Sequence, residues 1–162
     1  MVTPPAVSAN TPSVRARSRM PATTSSSDTC PTEPPVRRTE SRTYGPSAGF
    51  PIASQGDFEA VHAIAQTIEG PTICGLSRTA HKDIDRCWEA IEPAASPRIH
   101  TFIATSPLHM EFKLQLEPDE VLAQVIESVT RARSYTDDVE WSAEDATRTE
   151  HDFLCRGVEA AI

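Results

Sequence analysis

Residues 98–104, RIHTFIA, form a short apolar run interrupted by His100, the pattern of a buried strand. A long connection follows, TSPLHMEFKLQL (105–116), and then a helix. Pro118 sits where a first-turn proline belongs, with Asp119 and Glu120 near the positive helix end. Val121, Leu122, Val125, Ile126 and Val129 give that helix an apolar stripe. The same alternation extends both ways. Upstream, TICGLS (72–77) is a second strand-like run; Ile84, Cys87, Trp88 and Ile91 then mark a helix closed by Pro93 and Pro97. Before it, Ser54 with Asp57 resembles a capping box for a helix carrying Phe58, Val61, Ile64, Ala65 and Ile68, stopped by Gly70 and Pro71. Downstream, DVEWSA (138–143) reads as a strand, and Thr149 with Asp152 is expected to cap a last helix through Phe153, Leu154 and Val158.

Strands alternating with helices imply βαβ units, because parallel strands need long crossovers. Parallel strands should centre near Ile73, Ile99 and Val139, with a short one around Phe50. A doubly wound sheet and a closed barrel both fit this order. Neither a G-x-G-x-x-G nor a G-x-x-x-x-G-K-[ST] fingerprint follows any strand, which removes the usual nucleotide-binding motifs.

Composition divides the 162 residues in two. Residues 1–47 lack Leu, Ile, Phe and Trp, and the first 48 residues hold eight of the 14 prolines and 16 Ser or Thr. Six arginines against Asp28, Glu33 and Glu40 give that stretch +3, which leaves −11 for the rest of a chain of net charge −8. Such a segment cannot bury enough apolar surface to offset its ordering entropy, so residues 1–47 are expected to be disordered. Their Arg-, Ser- and Thr-rich character also fits an organelle transit peptide, although a loose tail is the favoured reading. An acidic body argues against nucleic acid, and no apolar run is long enough to span a membrane. Cys30, Cys74, Cys87 and Cys155 show no CxxC and no regular spacing, so neither a zinc motif nor a disulfide framework is indicated. Reduced thiols and a cytoplasmic location are expected.

Three blocks then point to a family. GFPIASQGDFEAV (49–61), RIHTFIATSPLHMEFKL (98–114) and RSYTDDVEWSAEDATRTE (133–150) closely resemble the catalytic barrel of the 2-isopropylmalate synthases. The resemblance covers about residues 48–162 and implies an incomplete TIM-barrel domain of the pyruvate carboxyltransferase type. These residues would be roughly strands 2–5 of a (β/α)8 barrel with their helices. The family's first strand, D-T-T-L-R-D-G-E-Q, and its H-x-H metal strand have no counterpart in this sequence, so an interior piece is expected. The implied activity is an acyl transfer: condensation of acetyl-CoA with 2-oxoisovalerate in leucine biosynthesis, with Mg²⁺ or Mn²⁺ polarising the oxo acid. Because the implied metal ligands lie outside these residues, the chain by itself is expected to be inactive. Half a barrel also exposes two sheet edges and an uncovered inner face, so self-association or aggregation is expected. A fragment of a homocitrate or citramalate synthase, and a non-catalytic remnant of a frameshifted gene, remain open alternatives.

Strand alternation sorts the acidic cluster near residue 140. Glu140, Ser142 and Glu144 share one face, while Val139, Trp141 and Ala143 share the other, which suits the helix side. Asp137 and Asp138 enter at the opposite end and read as a solvated or helix-contacting charge pair. The resemblance implies a catalytic role for Glu144 and substrate contacts from Leu76, His100 and Ser142. Arg78, just beyond Leu76, suits either a carboxylate or a surface ion pair. His62, His81, His109 and His151 carry no assigned function.

Overall fold

The computed structural model describes residues 47–162. The disorder expected for residues 1–47 therefore falls, apart from Ser47, outside the described residues. The elements run β1 (Ser47–Gly49), α1 (Gln55–Thr67), β2 (Ile73–Arg78), α2 (His81–Ile91), β3 (Pro97–Ala104), α3 (Pro107–His109), α4 (Pro118–Arg133), β4 (Val139–Glu144) and α5 (His151–Ala161). α3 is a single turn that runs directly into a π-helical turn at Met110–Leu114. The connection after β3 is thus largely helical. The strand expected around Phe50 lies just before it, in β1.

Local chemistry explains most of the boundaries. Ser54 caps α1: its hydroxyl oxygen accepts from the Asp57 amide at 3.1 Å. Pro118 opens α4, where the Glu120 carboxylate reaches back 2.8 Å to the Glu117 amide. The start of α5 corrects the sequence reading. Thr149 does not cap it; Glu150 holds that position without a side-chain cap. The Thr149 hydroxyl is instead engaged with the Thr105 hydroxyl at 2.7 Å and the Asp145 carbonyl at 3.2 Å. A buried hydroxyl partner across the chain outcompetes the local amide.

The four strands form one parallel sheet in the order β1-β2-β3-β4. Each strand pairs with the next in sequence. A doubly wound sheet reverses its strand order at a switch point, whereas a barrel keeps adding neighbours in one direction. The order and the one-sided helix layer together make this a partial (β/α)8 barrel. Ile99 and Ile73 sit with Val61, Ile84, Cys87, Ile91 and Ala132 in one buried cluster between sheet and helices. Ile103 joins Met110, Val121, Val125 and Phe153 in a second, with Trp141 packed against it. Close packing requires Gly75 in β2: a Cβ there would lie 2.5 Å from the Cys87 sulfur and 3.1 Å from Ile91. Among the described residues β1 and β4 are the sheet edges.

Candidate active site

Because Ile73, Gly75, Ile99, Ile103 and Trp141 face the helices, alternation turns their neighbours to the opposite, inner face. The register lines these up: Leu76 opposite His100 opposite Glu140, then Phe102 opposite Ser142, then Ala104 opposite Glu144. Leu76 and His100 stand midway along their strands, whereas Glu144 is the last residue of β4. His100 and Ser142 meet directly, with 2.7 Å between Nε2 and Oγ. Leu76 lies beside that pair through the ladder and brings an apolar wall to it.

Glu144 projects beyond the His100–Ser142 pair and is held by Lys113 of the π turn, whose ammonium donates to both carboxylate oxygens at 2.6 and 2.8 Å. A charge-assisted pair of this kind fixes the direction of the carboxylate. Arg78, at the end of β2, bonds through Nε to the buried Asp83 carboxylate and lies 5.4 Å from the Phe50 ring centre. The amino ends of the strands carry a separate network. Arg98 donates to Asp138 at 2.8 and 3.3 Å and to Glu140 at 3.3 Å. The two neighbouring aspartates therefore part company: Asp138 belongs to this inner network, while Asp137 is fully exposed opposite Arg133.

Sequence reasoning passed over a second cluster at the carboxyl ends. His109 Nδ1 lies 2.8 Å from the Ser106 hydroxyl and 2.9 Å from Asp145 Oδ2, and Arg148 donates to Asp145 Oδ1 at 2.7 Å. The His109–Asp145 approach is an ion-pair distance without hydrogen-bond alignment, since Asp145 Oδ2 makes no hydrogen bond. The Ser106 hydroxyl first, and Arg148 second, hold the Asp145 carboxyl below its ordinary range. Asp145 adopts the left-handed backbone region, φ 63°, which turns the chain sharply after Glu144. Lys113 and His109 thus tie the connection after β3 to the end of β4.

A family model described as HMGL-like matches residues 38–162. The chain belongs to the HMGL-like family. The match begins ten residues before the resemblance expected from residue 48. This HMGL-like chain is 70% identical over 115 residues to the 2-isopropylmalate synthase of Rhodopseudomonas palustris strain TIE-1, covering 71% of the chain and 22% of that protein. The 2-isopropylmalate synthase of Bradyrhizobium sp. strain BTAi1 is 67% identical over the same length, again 71% of this chain and 22% of the relative. That of Rhodopseudomonas palustris strain BisB18 is 64% identical with the same coverage. The chain thus spans about a fifth of the length of the curated relatives it matches. Among its described residues no helix is long and apolar enough to cross a membrane.

Proposed function

We propose that the inner face of this HMGL-like chain is part of the 2-oxo acid pocket of a 2-isopropylmalate synthase-type acyltransferase, acting on acetyl-CoA and 2-oxoisovalerate in cytoplasmic leucine biosynthesis. The observation that carries the reading is the alignment of Leu76, His100, Ser142 and Glu144 on one face of a barrel sheet, in a chain 70% identical over 115 residues to enzymes of that name. Each residue has a task suited to its chemistry. Leu76 offers apolar surface to a branched side chain. The paired His100 and Ser142 present a polar edge to the oxo acid's oxygens, with Ser142 fixing the ring. Glu144, held in place by Lys113, is positioned to accept or orient a proton at the carboxyl end.

The metal of that reading does not map onto the described residues. Mg²⁺ and Mn²⁺ take hard, oxygen-rich sets, whereas the one group of metal-ligating side chains among the described residues combines Cys74, His100 and Glu140. The 162-residue chain, assayed with Mg²⁺ or Mn²⁺ and both substrates, should release no CoA thiol above blank.

A chimera tests the pocket itself. Residues 48–162 replace the matching segment of the Rhodopseudomonas palustris enzyme, and turnover with 2-oxoisovalerate is compared with that of 2-oxoglutarate and pyruvate. Activity within about 10-fold of the parent is expected, with 2-oxoisovalerate preferred and with Glu144→Gln lowering kcat by about 10²-fold or more. A chimera that folds and assembles like its parent yet is inactive would overturn the proposal, as would a preference for another oxo acid.

A further inference from the structure

One donor set overlaps the proposed pocket only at His100. Cys74 of β2, His100 of β3 and Glu140 of β4 each present a ligand atom to the inner face, and these atoms all lie within 4.8 Å of one another. From this geometry we infer that the chain binds a borderline-soft divalent cation, Zn²⁺ foremost, through the Cys74 thiolate, His100 Nδ1 and the Glu140 carboxylate. The site goes beyond the synthase reading and does not depend on it, although it shares His100 with the proposed pocket.

Three features support a binding site over a chance encounter of side chains. Each ligand comes from a different strand, and the three strands are hydrogen-bonded neighbours, so the backbone holds the donors without help from loops. The imidazole is already oriented: Nε2 is engaged with Ser142 Oγ at 2.7 Å, which leaves Nδ1 turned toward Glu140, 3.8 Å from Oε1. Metal-bound histidines use their second nitrogen in this way, and the partner fixes ring and tautomer. The donor types then select the ion. A thiolate, an imidazole and a carboxylate suit Zn²⁺ in a tetrahedral arrangement with a fourth position open, and they disfavour Mg²⁺.

Two costs oppose binding. Burial, with Glu140 nearby, pushes the Cys74 thiol up to about 11. Zinc must therefore take the place of the thiol proton: the S–H bond breaks, an S–Zn bond forms, and the proton leaves to solvent. Arg98 also competes for Glu140, at 3.3 Å. Its firmer partner is Asp138, at 2.8 Å, so Glu140 can turn to a metal while Arg98 keeps its stronger bond.

The test uses the full 162-residue chain with Zn²⁺ alone, and with Co²⁺ as a coloured substitute whose thiolate charge-transfer band reports sulfur ligation. One Zn²⁺ per chain should survive desalting, Mg²⁺ should not compete, and Co²⁺ should give the thiolate band. Cys74→Ser should abolish that band, Glu140→Gln should weaken Zn²⁺ binding, and Ser142→Ala should weaken it by about 10-fold or more. A Cys30→Ser/Cys155→Ser double variant should bind as the parent does. Circular dichroism checks each variant, and Glu140→Gln, at a half-exposed position, keeps the test decisive if Cys74→Ser does not fold. A band that persists in folded Cys74→Ser, a Glu140→Gln chain that binds Zn²⁺ undiminished, or the lack of stoichiometric Zn²⁺ would overturn the inference.

Discussion

On the helix side of the sheet, Ile73, Ile99 and Ile103 are buried against α2, α4 and their neighbours, and Gly75 leaves room only for the Cys87 sulfur and Ile91. One residue along the same strands, the other side carries Cys74, Arg98, His100, Glu140, Ser142 and Glu144, most of them half-buried and joined by hydrogen bonds. The first side gains its free energy from apolar area and tight fit. The second gains little from area and carries the groups that can move protons or hold ligands. Parity along a strand, more than position in the chain, separates what keeps this protein folded from what it can do.

The contrast can be broken most directly by truncating one side and then the other. Ile99→Ala, at a fully buried position, should lower stability by about 2–5 kcal/mol in urea unfolding. Ser142→Ala, on the inner face, should cost no more than about 1.5 kcal/mol in the same experiment. Equal losses would mean that the two faces share the work. Gly75→Ala should cost about 1–3 kcal/mol by overpacking, since the new methyl meets the Cys87 sulfur. A neutral result would show that α2 can shift away from the sheet.

Smaller effects sharpen the boundary between the faces. Arg78→Ala leaves the fully buried Asp83 carboxylate without its cation. Because the Arg78 side chain is 56% exposed, water replaces part of that interaction and a loss of about 1 kcal/mol is expected, read from the thermal midpoint. The smallest effect concerns Asp145, whose carboxyl is held below its ordinary range. A depressed carboxyl contributes stability that is complete above its unfolded pKa of about 4 and is lost as pH falls through the folded value. Asp145→Asn should therefore show a shallower fall in stability than the parent below about pH 4. Urea midpoints at pH 7, 4 and 3 measure this, and parallel acid limbs would remove Asp145 from the account.

The two-residue alternation made much of the sheet legible from sequence. Val139 and Trp141 need apolar company, so the faces of β4 follow once its helix side is known, and Ser142 and Glu144 fall opposite. The strands expected near Ile73, Ile99 and Val139 lie where the apolar runs put them. Contacts set by register were not legible. Cys74, His100 and Glu140 are far apart in sequence and show no metal-ligand spacing, because three separate strands deliver them. Lys113 sits in a π turn, whose widened spacing matches neither the strand nor the α-helix period, and His109 in the single α turn that leads into it. Thr149 looked like a helix cap because local rules cannot anticipate Thr105, which lies across the chain.

That π turn behaves as a spacer one residue longer than an ordinary helical turn. An α-helix advances about 100° per residue, so removing one residue between Met110 and Phe112 would swing the following side chain around the axis by that angle. Lys113 would then face away from Glu144, and the carboxylate would lose both of its ammonium contacts. The extra residue works like a shim: its own chemistry matters less than the angle it sets for the next side chain. Length at this point in the chain is therefore under tighter geometric control than residue identity, and a single-residue deletion would disturb Glu144 more than most substitutions within the turn.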